Sequence, residues 1–444
     1  MKRIVTTEGC LDGKTIIRFT HSCAEGAGIE NHLNYLNREL LNRNAMNIIQ
    51  IYMDSATSSS TESISFGKGT LLKIPLPSIP GSNSNSHHHL IKKLTQNLYQ
   101  LSLRPEFANL SDTIKFALYK TQLSIFGEKK RRLYEKRFRE VDHLDVVIQK
   151  IFTRSTVDLV VNHFAGGKDS LLLMQEAQNR SVPVLIVNHF HNRWFNYIPI
   201  REQTRLASLA AGISNQNIPR YIRNSFINLS NGIDTLFFQR SLAVLPLDFS
   251  KRYPLILLPA RVDPAKGHLD MLKALNFLVK KGYMAHLVFI GRIDSIPFKE
   301  LCKKFAYDQH LQNTIEFRDQ VDQATLRQWY SIADIVVLPS YQEGSGRVLL
   351  ESQAMGVPVV AYKTGGIPES IIDKDTGFLV DQRNIRMLSE KIKLLLKDPR
   401  MRQQMGARGR IFVEKNFSLT TLVQRHEAIY CKLIHSHESK ATEL

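Results

Sequence analysis

From residue 254 onward the chain repeats one pattern: a short apolar run, a helical stretch, then another apolar run. The runs are PLILLPA (254–260), AHLVFIG (285–291), TIEF (314–317), IVVLPS (335–340) and VPVVAY (357–362). Helices are expected between them at 267–281, 297–308 and 323–332, and further helices at 385–397 and 419–435. Short runs rich in Val, Ile and Leu, without polar alternation, are strands buried on both faces. Strands that alternate with helices are joined by crossovers, so they lie parallel with helices above and below the sheet.

A second series of this kind lies upstream. TIIRFTH (15–21) leads through a Gly loop into the helix of EGAGIENHLNYLNREL (25–40). VDLVVNHF (157–164), a helix over DSLLLMQEAQNR (169–180) and VPVLIVNHF (182–190) continue it. The chain of 444 residues is too long for one ordinary core. Two doubly wound domains are expected, 1–245 and 246–420, with a final helix and tail at 421–444 that return toward the first domain. The Ser-, Pro- and Gly-rich stretch 56–89 reads as a flexible excursion, and its His87-His88-His89 as polar filler or, less simply, a metal site.

Composition narrows the class. Hydrophobic residues make up 43% and charged residues 23%, as in globular proteins. No apolar run approaches the ~18 residues of a membrane span, and MKRIVTTEGC has no apolar core of signal-peptide length. The four cysteines (10, 23, 302 and 431) are scattered, with neither metal spacing nor a disulfide framework. A cytoplasmic protein is expected. The net charge of +18 calls for polyanionic company, either nucleic acid, anionic lipid or diphosphate substrates. The densest basic run, 127–144, reads as an amphipathic helix. It either docks at the inner face of a membrane as a peripheral contact or is a solvated surface helix.

Glu343 and Glu351 bracket the stretch with the most chemistry, which runs on to GGIPES (365–370). They flank a Gly-rich loop that enters a helix directly after the strand IVVLPS. Free N–H groups and the positive dipole end at a helix start suit phosphate. Carboxylates beside a phosphate site are suited instead to accept hydrogen bonds from hydroxyls. Phosphate together with hydroxyls points to a nucleotide-sugar. A competing motif is FAGGKDSLLLM (164–174), similar to the pyrophosphate loop of ATP pyrophosphatases, with Ala165 in place of the usual Ser. The simpler reading is a Gly turn capped by Asp169 or Ser170 at a helix start. A basic nucleic-acid-binding protein is the third reading, disfavoured because few aromatics interleave the basic run.

Taken together, these residues resemble the family 4 retaining glycosyltransferases. The E-x7-E mark is Glu343 to Glu351, and AMGVPVVAYKTGGIPE (354–369) agrees with it. PARVDPAKGHLDMLKAL (259–275) is similar to the family's R-x4-K segment, which gives Arg261 and Lys266. EGAGIENH (25–32) looks like the first Gly loop, PVLIVNH (183–189) like the strand ending in a family His, and NGIDTLFF (231–238) like the segment before the interdomain linker.

The resemblance implies the GT-B fold: two Rossmann-like parallel-sheet domains facing each other across a cleft. It implies a nucleotide-sugar donor (UDP- or GDP-linked) and a glycan or lipid-linked acceptor. Arg261 and Lys266 would hold the diphosphate, and Gly26, Ala27 and Gly28 would let the backbone approach it. Glu343, with Gly344, Ser345, Gly346, Arg347 and Val348 of its loop, would face the donor. Glu351 would take the ribose hydroxyls, and His189 would orient the reacting groups. No Asp-x-Asp constellation is placed to hold a divalent ion, so neither metal nor cofactor is expected. Ser345 and Arg347 stand where the family often has Phe and a second apolar residue, and Arg318 where it usually has Gly.

Overall fold

The computed structural model describes residues 10–20, 27–54, 62–66, 68–77, 148–149, 151–153, 155–163, 168–188, 203–216, 218–240 and 252–441. Contacts gather 1–52, 61–74 and 157–444 into one compact unit and 53–60 with 75–156 into another. The first unit holds two α/β layers, in agreement with the fold class expected above.

The first layer comprises β1 (Thr15–Thr20), α1 (Ala27–Arg43), β2 (Asn47–Asp54), β3 (Glu62–Phe66), β4 (Gly69–Pro77), β5 (Leu159–Asn162), α2 (Lys168–Asn179), β6 (Val184–Asn188), β7 (Leu209–Gly212) and β8 (Phe226–Asn228). Its eight strands are ordered β3-β4-β2-β1-β5-β6-β7-β8. β1 runs parallel to both β2 and β5, and β5 to β8 continue in parallel. β3 and β4 form an antiparallel hairpin, with Glu62 opposite Lys73 and Phe66 opposite Gly69.

The second layer comprises β9 (Leu255–Pro259), α3 (His268–Lys280), β10 (His286–Ile290), α4 (Ile296–Asp308), β11 (Ile315–Arg318), α5 (Gln323–Ile332), β12 (Ile335–Leu338), α6 (Arg347–Ala354), β13 (Val359–Tyr362), α7 (Ile367–Ser370), β14 (Gly377–Val380), α8 (Ile385–Lys397) and α9 (Pro399–Phe417). α10 (Leu419–Ala441) ends the described chain. The strand order is β11-β10-β9-β12-β13-β14, with every neighbouring pair parallel.

β9 shows why apolar runs without alternation become central strands. Leu255, Ile256, Leu257 and Leu258 are all buried. Ile256 and Leu258 pack with Met271, Leu272 and Leu275 of α3. Leu255 and Leu257 point the opposite way, toward Trp329, Tyr330 and Leu350 of α5 and α6. Both faces of the strand are covered, and each buried aliphatic side chain contributes about 1.5–3 kcal/mol.

Three expectations need correction. Within 56–89, read as an excursion, residues 62–66 and 69–77 are the β3–β4 hairpin at the sheet edge. Ser63 and Ser65 are exposed there, so polar outward positions of a strand resemble loop composition. The rest of that stretch, His87-His88-His89 included, lies outside the described residues. Next, α9 was not expected from the sequence; its two glycines, 406 and 409, weaken the helical signal. Asp398 caps it by accepting from Met401 N at 2.9 Å, and Pro399 occupies the first turn.

The third correction concerns cysteine. Cys10 and Cys431 are joined in a disulfide across a sequence separation of 421. They meet because α10 packs against α1 and β1. Val423, Tyr430, Leu433 and Ile434 share a buried cluster with Leu36, Leu40 and Leu41. Buried Arg18 of β1 donates to Tyr430 Oη at 2.9 Å and to Asn37 Oδ1, while Asn37 donates to Gln50 at 2.8 Å. Asn44 donates to Glu427 at 2.8 Å, and Lys14 pairs with Glu438 at 2.5 Å.

Candidate active site

The strand order determines where a site can form in the second layer. From β9 the chain moves to β10 and β11 on one side, then returns to β12, β13 and β14 on the other. The loops after β9 and β12 therefore diverge from adjacent strand ends, and crevices at such switch points take ligands. The loop after β9 carries Arg261 and Lys266, and the loop after β12 carries Glu343.

The two loops meet side chain to side chain. Lys266 Nζ lies 2.5 Å from Glu343 Oε1, and Ser340 Oγ donates to the same oxygen at 3.0 Å. Both members of the ion pair are only 15% exposed. Lys266 ends a short 3-10 turn, Pro264–Lys266, capped by Asp263, which accepts from Ala265 N at 2.7 Å. The turn closes at Gly267, with φ +73. A Cβ there would stand 2.0 Å from Pro339 O, so only glycine lets the turn lie against the end of β12.

A similar contact seats the Glu343 loop. Gly365 has φ +50, and a Cβ on it would come 1.9 Å from Glu343 O. Gly366 N donates to Gly344 O at 2.8 Å. The Gly365-Gly366 turn is thus a backbone shelf under Glu343 and Gly344. Gly346, left-handed at φ +63, ends the loop and caps α6, which begins at Arg347.

Arg261 is half-exposed and pairs with Asp294, which Arg292 also binds at 2.7 Å. Burial alone would raise the Asp294 carboxyl; the Arg292 hydrogen bond and the Arg261 cation outweigh it and hold the group below its ordinary range. Arg261 is therefore anchored at the rim by an ionised carboxylate. Glu351 is buried, with both oxygens engaged: Arg347 Nε donates to Oε1 at 2.9 Å and Tyr330 Oη to Oε2 at 3.1 Å. Burial, reinforced by Glu351, pushes the Tyr330 phenol well above its usual range, so it stays a donor.

Ser345 is buried. Its hydroxyl accepts from Asn231 Nδ2, and its carbonyl accepts from Ser370 Oγ at 2.6 Å. Val348 O lies 3.4 Å from Tyr330 Oη. Arg318 lies 4.6 Å over the Trp329 ring and pairs with Glu316 at 2.7 Å.

The structure thus brings together Lys266, Glu343 and the loop 344–348, with Arg261 on the strand end beside them and Glu351 one helical turn further on. Gly26, His189 and residues 165–167 and 127–144 lie outside the described residues. Ala27 and Gly28 open α1, and Ser170 is buried and donates to Gln203 at 3.0 Å. Ser340, Asp294, Arg292 and Tyr330 were missed, because each acts through a neighbour that only the fold supplies.

Comparison with known proteins bears on the fold and the family of the chain. Residues 246–412 match the family model described as glycosyl transferases group 1. A GDP-mannose-dependent alpha-(1-6)-phosphatidylinositol monomannoside mannosyltransferase of Mycobacterium tuberculosis is 30% identical over 306 residues, covering 64% of this chain and 78% of the relative. The capsular polysaccharide biosynthesis glycosyltransferase CapM of Staphylococcus aureus is 27% identical over 180 residues, 40% of this chain and 46% of that one. The match thus spans about half of CapM's length. A glycosyltransferase from Rickettsia africae shares the fold with a TM-score of 0.64 at 19% identity, over 95% of this chain and 98% of that one. Fold, loop geometry and sequence relationship together mean that this chain belongs to the group 1 glycosyltransferases.

Proposed function

We propose that the chain is a retaining hexosyltransferase that moves a sugar from a GDP- or UDP-sugar to a hydroxyl of a glycan or lipid-linked acceptor. The observation that carries this reading is the Lys266–Glu343–Ser340 cluster beside Arg261 at the switch point of the second sheet. A sugar nucleotide gains negative charge on its diphosphate as the glycosidic bond breaks. Arg261 offers a forked donor set and Lys266 a compact ammonium, so both suit that charge.

Glu343, already held by Lys266 and Ser340, suits donor-sugar hydroxyls and the developing oxocarbenium, because a carboxylate accepts from the one and offsets the charge of the other. Glu351, with lone pairs left beside those used by Arg347 and Tyr330, suits a ribose. In the step itself, the bond from the anomeric carbon to the diphosphate oxygen breaks. A bond to the acceptor oxygen forms on the same face, and the acceptor proton passes to the leaving diphosphate. The protein supplies positioning and electrostatics, without a metal.

The mannosyltransferase relative makes GDP-mannose the first donor to try, and its phosphatidylinositol-linked acceptor makes a lipid-linked saccharide the first acceptor class. No helix among the described residues is long and apolar enough to cross a membrane. A peripheral enzyme fits that acceptor, and flotation with anionic vesicles at low salt tests the location.

Nucleoside diphosphate release from a panel of GDP-, UDP- and ADP-sugars tests the activity. The wild type is expected to turn over one donor, and Lys266→Ala to lose about 100-fold or more in kcat with its fold intact. Near-normal turnover in both Lys266→Ala and Arg261→Ala would refute the assignment.

A further inference from the structure

Glu369 belongs to α7, immediately after the Gly365-Gly366 shelf, yet its carboxylate is spent on the other sheet. Oε1 accepts from Ser214 Oγ at 2.8 Å and from Asn215 N at 2.7 Å. Oε2 accepts from Asn228 Nδ2 at 2.7 Å and from Asn215 Nδ2 at 3.3 Å. Ser214 and Asn215 follow β7, and Asn228 ends β8, so all four donors come from the carboxyl edge of the first sheet. A carboxylate is the side chain suited to this place, because it accepts at every lone pair and offers no hydrogen.

The backbone around Glu369 leads straight back to the donor loop. Glu369 N donates to Gly366 O at 3.0 Å, Gly366 N to Gly344 O at 2.8 Å, and Ser370 Oγ to Ser345 O at 2.6 Å. The contact between the sheets is close-packed there. A Cβ on Gly344 would lie 2.9 Å from Ile213, and one on Gly366 would lie 2.8 Å from Ser214 Cβ. A shift of Glu369 relative to Ser214 and Asn228 therefore carries the loop that bears Glu343 and Ser345 with it, away from its place against the first sheet.

We propose that Glu369 is a positioning residue: it latches the loop Glu343–Gly346 to the carboxyl edge of the first sheet and holds the two sheets together for transfer. The idea deepens the proposed function and rests on it for its catalytic part. Because Arg261, Lys266, Glu343 and Glu351 all belong to the second sheet, releasing the latch leaves donor binding largely in place. What suffers is the alignment of the bound donor with groups contributed by the first sheet.

Steady-state rates at saturating acceptor test this in four variants: Glu369→Ala, Glu369→Gln, Asn228→Ala and the double variant Glu369→Ala with Asn228→Ala. Glu369→Ala is expected to lower kcat by about 10- to 100-fold while donor KM stays within about 3-fold. Glutamine keeps one acceptor oxygen for Ser214 Oγ and Asn215 N, while the Asn228 amide is held by Ser230 N on its own oxygen, so Glu369→Gln should recover only part of kcat. Asn228→Ala should have a smaller effect that does not add to that of Glu369→Ala. Small-angle X-ray scattering without donor supplies a readout independent of chemistry, with Glu369→Ala expanded and Glu369→Gln close to the wild type. The proposal is overturned if Glu369→Ala keeps wild-type kcat, scatters like the wild type, or loses only melting temperature, or if the double variant is additive. Should the wild type release nucleoside diphosphate from no donor, the proposed function fails, and the scattering comparison still decides whether the latch exists.

Discussion

The second sheet is closed by helices drawn from its own stretch of chain, 255–417, whereas the first is finished by α10, from the far end of the sequence. In the second sheet each strand hands over to a helix that folds back on it, and the two buried clusters recruit little from elsewhere. In the first, the buried cation Arg18 depends on Tyr430, Asn44 reaches Glu427, and Cys10 reaches Cys431. Layers of one architecture can thus differ in how local their stability is. The charged cluster of Arg261, Lys266 and Glu343 lies in the self-contained one, and the other depends on a long-range clasp.

Removing the clasp's aromatic anchor should have the largest effect. Tyr430→Ala deletes a buried ring and an acceptor for Arg18, at a cost of about 4 kcal/mol. Hydrogen exchange should accelerate in β1, β2 and α1 while β9, β12 and β13 keep their protection. Equal loss of protection in both sheets would erase the distinction drawn between them.

Cutting the covalent part of the clasp comes next. Cys10→Ser is expected to lower stability by about 3 kcal/mol, the usual cost of losing a native disulfide. A denaturant midpoint that falls in this variant, and a wild type that joins it on adding dithiothreitol, is the expected result. An unchanged midpoint would mean that α10 is held by packing alone.

The smallest effect probes the second sheet from within. Burial, aided by the Lys266 cation, lowers the His268 imidazole from 6.5 to about 3. Its folded value is below its unfolded one, so the unfolded chain binds the proton first as pH falls. The contribution of the neutral ring is whole above 6.5 and drains away between 6.5 and about 3. It should amount to a loss of about 2 kcal/mol by pH 5. His268→Leu should flatten that acid slope, read from melting temperatures between pH 7 and pH 5. A slope equal to the wild type's would place the acid sensitivity elsewhere.

How much was legible beforehand follows the same division. The strands at 255–259, 335–338 and 359–362 were visible as apolar runs, because burial on both faces removes polar alternation. Helix α8 matched its expected range, 385–397, since its apolar stripe faces a single core. The β3–β4 hairpin was hidden by exposed serines, and α9 by its glycines. Glu343 and Glu351 could be picked out because they flank a Gly-rich loop that runs from a strand into a helix, and Arg261 and Lys266 through the family resemblance of 259–275. Their partners could not: Asp294, Ser340 and Tyr330 look like ordinary loop or helix residues until the strands are ordered. The hydrogen bond from Asn231 to the Ser345 hydroxyl was likewise not legible, because it joins residues 114 positions apart.

By itself, the sequence determined the period of the elements, the parallel α/β class and the residue types gathered at the strand ends, because hydrophobic spacing and turn chemistry act over a few residues. Tertiary structure alone decided which of those residues meet. The 2.5 Å pairing of Lys266 with Glu343 exists because β9 and β12 are neighbours at the point where the strand order reverses. The reach of Glu369 to Ser214 and Asn228, and of Cys10 to Cys431, exists because distant segments are pressed together by burial they share. Such contacts depend on the packing of whole layers, and no local pattern in the chain records them.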